Sequence, residues 1–176
     1  MFERNPRRLV RGYYYLRRRV ILFRYTKHLS VPLGHDVTDP TQIKRVLLIC
    51  TGLLGDTVMC TPAISQVRKV FPGARIWGLV TSRNKELLAP SPWFDDFLVY
   101  DWSPFPLRAA KRRELGHLKK QIGSLQPDLA IILLGDDFVP LLYRSGVPRI
   151  VGVAGDEFSS LCTDTYSIGH PRVWGP

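Results

Sequence analysis

The sequence predicts an α/β fold, a doubly wound Rossmann-like parallel sheet preceded by a basic amphipathic helix. Three observations carry this expectation. Short apolar runs alternate with segments of helical periodicity from residue 45 to residue 153. The runs are apolar at successive positions rather than alternate ones, as in strands covered on both faces. Charge is also concentrated at one end. Residues 1–30 hold nine Lys or Arg and one acid, a net +8, whereas the rest of the chain holds 16 basic and 14 acidic side chains.

The extension comes first. At about 100° per residue, Arg4, Arg7, Arg8, Arg11, Arg18 and Arg19 share one face of a helix, opposite Leu9, Tyr13, Leu16 and Val20. Such a helix suits an anionic membrane surface, each basic residue contributing roughly 1 kcal/mol. It equally fits a helix packed on its own domain with a solvated arginine face. Nucleic acid is a third possible partner, but no RNA- or DNA-binding motif accompanies the charge, so none is expected. Residues 31–42 contain Pro32, Gly34 and Pro40 and read as a linker.

The domain is expected from residue 43 to residue 170. Arg45–Thr51 (RVLLICT) is a first buried strand. Thr57–Phe71 has Cys60, Ile64, Val67 and Phe71 at helical spacing and stops at Pro72-Gly73. Within it Pro62 fits either a kink or a first helical position capped by Thr61. Arg75–Val80 is a second strand, Asn84–Leu88 a short helix and Phe97–Tyr100 a third strand. Pro106–Leu125 is a basic helix ending near Gln126-Pro127. Asp128–Leu134 (DLAIILL) is a fourth strand, Phe138–Ser145 a helix and Arg149–Val153 a fifth strand. Residues 171–176 are expected to open an interdomain linker. The ending HPRVWGP closes no domain, so the chain is expected to be truncated there.

Composition limits the function classes. The 176 residues suffice for one domain with a core of its own. No apolar run reaches eighteen residues, and Val20–Phe23 is too short for a signal-peptide core, so a cytoplasmic location is expected. Cys50, Cys60 and Cys162 are odd in number and form no C-x-x-C pair, which disfavours a disulfide framework or a zinc site. Cys50 reads as a small buried hydrophobe.

The chemistry is expected after the first strand, in T-G-L-L-G-D-T (Thr51–Thr57). Open α/β sheets bind ligands beyond the carboxyl ends of their strands. Gly52 and Gly55 allow a tight turn and a close ligand approach. Asp56 then stands at the helix entrance, where a carboxylate can accept a hydroxyl proton as a general base. The same position suits a helix N-cap, for which Asp is a favoured residue. The loop offers G-x-x-G, neither the dinucleotide fingerprint G-x-G-x-x-G nor a P-loop with Lys and Ser/Thr. That counts against a nicotinamide- or flavin-dependent oxidoreductase. Asp136-Asp137 and Asp156-Glu157 follow strands and read as loop acids capping helices rather than metal ligands. His170 reads as a linker residue.

The segment Arg45–Ile76 resembles the N-terminal signature of glycosyltransferase family 9, which includes the lipopolysaccharide heptosyltransferases. The matching features are the apolar strand, Gly55-Asp56, Thr61-Pro62-Ala63-Ile64 and Phe71-Pro72-Gly73-Ala74. Weaker likeness continues through Pro127–Gly135 and Arg149–Gly155. The resemblance implies the N-terminal half of a GT-B fold and an inverting transferase. Such a half binds a lipid-linked oligosaccharide acceptor, while a further C-terminal domain binds the donor, ADP-heptose in the family. It implies Asp56 as the base and no metal or resident cofactor. By the same resemblance Gly52, Gly55, Thr57, Arg108, Lys111 and Arg112 are expected to bind the acceptor, whose carboxylates and phosphates suit arginine forks. For the basic residues a solvated helix face is the competing reading. With the basic extension, the whole would sit on the inner face of a bacterial inner membrane. The alternative is a non-catalytic, membrane-associated module that binds a nucleotide or sugar.

Overall fold

The structure, a computed structural model, describes residues 39–101, 109–156 and 158–166, the side chains of 109–112 excepted. The basic face at Arg4, Arg7, Arg8, Arg11, Arg18 and Arg19 lies outside the described residues, as do Arg108 and His170.

Strands and helices alternate. In order they are β1 (Arg45–Cys50), α1 (Leu54–Val70), β2 (Arg75–Val80), α2 (Ser82–Leu88), β3 (Asp96–Val99), α3 (Ala109–Leu125), β4 (Leu129–Leu134), α4 (Val139–Arg144), β5 (Ile150–Val153) and β6 (Asp164–Tyr166). Single 3-10 turns cover Pro40–Gln42, Asp136–Phe138 and Ser159–Leu161. All described strand pairs are parallel, and the order across the sheet is β3-β2-β1-β4-β5-β6. Successive strands therefore run outward from β1 one way and from β4 the other. The reversal falls between β1 and β4, the place where open α/β sheets put a ligand crevice, at the carboxyl ends of the strands.

The sequence of β1 explains its central place. Val46 through Cys50 are five apolar residues in succession, and all five are fully buried. A strand puts successive side chains on opposite faces, so both faces must be covered. On one face Val46, Leu48 and Cys50 pack with Ile64 of α1 and Leu88 of α2. Leu47 and Ile49 point to the other. Each such side chain contributes about 1.5–3 kcal/mol by burial. The core extends through Leu118 and Ile122 of α3 and Leu142 of α4.

Two carboxylates fasten the amino end of the sheet. Asp128 accepts from the Lys44 and Arg45 amides at 3.0 and 2.8 Å and from the Arg45 guanidinium at 3.1 Å. This joins the start of β4 to the start of β1. Asp95 accepts from the Ile76 amide and from Arg68, both at 2.6 Å. Arg68 also donates to the carbonyls of Ala74 and Trp93 and so anchors the end of α1.

The structure departs from the sequence expectation in two places and decides between two readings at a third. First, α1 begins at Leu54, not Thr57, and its N-cap is Leu53, which offers no side-chain acceptor. Asp56 is thus the third helical residue and not the cap. Second, Pro62 lies inside α1, the first of the two readings that its spacing allows. A proline nitrogen has no hydrogen, so the carbonyl four residues back loses its donor. That carbonyl belongs to Val58, and the Thr61 hydroxyl donates to it at 2.8 Å. Thr61 repairs the helix here and does not cap it. Third, β6 has no counterpart in the sequence expectation. It has only three residues, yet the Tyr166 hydroxyl reaches back to the Ile132 carbonyl at 2.9 Å.

Candidate functional site

The chain leaves β1 at Cys50 and enters α1 four residues later, at Leu54. On the β4 side, the Thr51 amide donates to the Leu134 carbonyl at 3.1 Å, and the Thr51 hydroxyl donates to it at 3.4 Å. The β1–β4 register slips between Ile49 and Cys50, an irregularity that bends strand ends where a site is built. Two glycines let the β1 and β4 loops pass this closely. Gly135 takes φ +107°, and a Cβ there would overlap the Thr51 hydroxyl. A Cβ on Gly52 would lie 2.9 Å from Leu134 Cδ1.

On the β2 side the fastening comes from Asn84. It is buried, and its amide nitrogen donates to the carbonyls of Cys50 and Gly52 at 3.1 and 3.0 Å. The Thr81 hydroxyl in turn caps α2 by accepting from the Asn84 amide at 3.2 Å. No sequence signal singles out Asn84. Its partners lie 32 and 34 residues away, and no local pattern points to them.

The first turn of α1 is fastened from inside. Thr57 is fully buried, and its hydroxyl donates to the Leu53 carbonyl at 3.1 Å and accepts the Cys50 thiol at 3.8 Å. Thr57 therefore holds the turn and presents nothing to a ligand. Burial pushes the Cys50 thiol up to about 11, the Thr57 hydrogen bond opposing it, so Cys50 stays a protonated donor. The neighbouring Cys60 thiol is also raised, by burial first and then by the charge of Asp56 one turn earlier.

Asp56 itself is exposed. It stands in the first turn of α1, which follows the carboxyl end of β1. No atom lies within 4 Å of where a Cβ on Gly55 would stand, so a ligand can approach the backbone there. Leu53, Leu54, Val58 and Met59, neighbours of Asp56 in sequence, are exposed as well, Leu53 and Met59 at 78% and 80%. An anion near this turn gains from the partial positive charge of a helix N-terminus.

Of the residues expected to bind the acceptor, Gly52, Gly55 and Thr57 thus share one loop and turn with Asp56. Lys111 and Arg112 fall in the first turn of α3, in the segment that follows β3. Asp136 and Asp137 form the 3-10 turn after Gly135, and the N-cap of α4 is Phe138. Among the described residues no three His, Cys, Asp or Glu converge in a metal-binding group, and no helix is long and apolar enough to cross a membrane. An open cavity of about 390 Å³ lies at the other, amino end of the sheet, against Ile43, Lys44, Lys69 and Phe71. It is remote from the carboxyl-end crevice and shares no residue with the loop.

No family model and no curated protein matches the chain. Solved structures do match. The glycosyl transferase family 9 protein from Veillonella parvula DSM 2008 aligns at TM-score 0.60 and 21% identity, over 70% of this chain and 35% of its own. The E. coli ADP-heptose lps heptosyltransferase II aligns at 0.57 and 18%, over 69% and 34%. The E. coli heptosyltransferase WaaC with ADP-2-deoxy-2-fluoro heptose aligns at 0.61 and 16%, over 73% and 44%. At these identities the likeness establishes a fold, the α/β Rossmann-like sheet of glycosyltransferases. These neighbours come from the group of enzymes that the Gly55-Asp56 signature resembles. The chain spans between about a third and a half of their length.

Proposed function

We propose that this chain is the acceptor-side half of an inverting glycosyltransferase. The acceptor is a lipid-linked oligosaccharide of the lipopolysaccharide core, and the donor is a nucleotide-sugar, ADP-heptose by resemblance. The observation that carries this reading is the placement of Asp56. It is an exposed carboxylate in the first turn of α1, at the carboxyl end of β1 and next to the point where the strand order reverses.

Asp56 acts as the base. Its carboxylate takes the proton of the acceptor hydroxyl as that oxygen attacks the anomeric carbon. The new carbon–oxygen bond forms on the face opposite the departing group, which inverts the centre. The nucleoside diphosphate leaves with the electron pair of the broken bond. Gly52 and Gly55 keep side chains out of the approach, and Thr57 fixes the turn. Arg108, Lys111 and Arg112 would face the anionic groups of the acceptor. By the same resemblance, the groups that hold the donor would lie in a further C-terminal domain. The basic residues of the extension would keep the enzyme on the inner face of the inner membrane, beside its acceptor.

The test is release of nucleoside diphosphate from a panel of nucleotide-sugars by the full-length protein. The reading requires release that depends on added lipid-linked acceptor and yields a glycosylated product. Binding of sugar or nucleotide with no turnover for any pair would replace it with a non-catalytic binding module.

A further inference from the structure

Aromatic and cysteine side chains apart, Asn84 and Thr57 are the two buried polar side chains among the described residues. Burying an amide is costly unless its hydrogen bonds are made. Here both hydrogens of the side-chain nitrogen go to backbone carbonyls, of Cys50 and Gly52. The location explains the choice. The parallel ladder between β1 and β2 ends at the Cys50–Val80 pair. Beyond it the β2 chain turns away into α2, and the last carbonyls on that side of β1 lose their backbone partners. Asn84 supplies the missing donors from the first turn of α2. Across the strand, Leu134 accepts the Thr51 amide. The loop is therefore held at both edges, and Asp56 follows Gly52 by four residues.

We infer that Asn84 is a positioning residue for sugar transfer: its amide clamps the Cys50–Gly52 backbone and so fixes where α1 presents the Asp56 carboxylate. The inference rests on the reading of Asp56 as the base. Asn84 touches no substrate. Loss of the clamp lets the loop drift, and a displacement near 1 Å at a catalytic group can cost about 100-fold in rate. Asn84→Asp is harsher than Asn84→Ala, because it sets a carboxylate against two carbonyl oxygens with no donor between them. Asn84→Gln keeps the amide on a longer stem and restores part of the rate.

The experiment compares these variants with Leu118→Ala, a core truncation in α3 away from the loop, in the full-length protein. Ile122→Val replaces that control should it not fold. For Asn84→Ala the expected result is a fall of about 10- to 100-fold in kcat, with KM for the nucleotide-sugar within about twofold. Amide hydrogen exchange over residues 51–57 quickens selectively. The control loses melting temperature but keeps kcat and its protection at 51–57. Falls in kcat that track melting temperature alike in both variants overturn the inference. So does unchanged exchange at 51–57 in Asn84→Ala. Should the wild type transfer no sugar with any donor–acceptor pair, the sugar-transfer reading and the catalytic part of this inference both fail. The exchange comparison still decides whether Asn84 clamps the loop.

Discussion

Replacing Gly135 by alanine probes the contact that brings the β1 and β4 loops together. Two costs add. The backbone sits at φ +107°, well beyond the left-handed well near +57° that L residues occasionally occupy. Such a conformation costs a non-glycine residue about 1–3 kcal/mol. The new methyl also overlaps the Thr51 hydroxyl, which must rotate away and give up its bond to the Leu134 carbonyl. A net hydrogen bond is worth about 0.5–1.5 kcal/mol. Together the substitution should cost about 2–4 kcal/mol, a large share of the roughly 5–15 kcal/mol that holds a domain folded. Two other glycines separate the terms. Gly146 has φ +76° and open space around it, so Gly146→Ala bears strain alone, about 1–2 kcal/mol. Gly73 has no positive φ and open space, so Gly73→Ala should be neutral or stabilising by up to about 1 kcal/mol. Urea unfolding followed by circular dichroism ranks the three. A loss at Gly135 no greater than that at Gly146 would refute the close approach of Thr51 and Gly135.

Two further outcomes follow from the charges. Burial acts to raise the carboxyls of Asp95 and Asp128, but their hydrogen bonds to backbone amides and to Arg68 and Arg45 outweigh it and hold both below the usual value. Groups depressed on folding stabilise the native state above their unfolded value, about 3.9, and that stability fades as pH falls through the lower folded value. Acid unfolding should therefore steepen below about pH 4, and a double Asp95→Asn, Asp128→Asn variant should show a flatter pH dependence there; equal slopes would contradict it. For the extension, deleting residues 1–30 should leave the fold intact and abolish sedimentation with anionic vesicles. Unchanged pelleting would remove the membrane role.

Much of this architecture was legible in the residues. Five of the six described strands are long enough and apolar enough on successive positions to declare themselves, and RVLLIC and LAIILL name the two central ones. The start of α1 was not legible, because Leu53 carries no capping oxygen and Gly55 is a poor helix former in the first turn. Tertiary packing overrides both: Thr57 and Ile64 bury against the sheet and draw the helix back to Leu54. A three-residue strand such as β6 has too few residues for a period to show. Within the candidate site, Asp56, Gly52 and Gly55 are neighbours in sequence, whereas the clamp by Asn84 and the contact of Gly135 with Thr51 join residues that only the strand order brings together. Thr57 shares its loop and turn with Gly52, Gly55 and Asp56, yet its side chain is fully buried. Sequence gives a residue's company but not which side of the helix the sheet will cover.

The most direct measurement is the turnover of Asp56→Asn in the full-length protein under saturating nucleotide-sugar and lipid-linked acceptor. The change is nearly isosteric, and the side chain is exposed, so melting temperature should hold. Loss of a positioned general base should lower kcat about 10²- to 10⁴-fold, with KM for the nucleotide-sugar little changed. A variant that folds like the wild type and retains kcat within about threefold would contradict Asp56 as the base, because a lost general base costs far more than that.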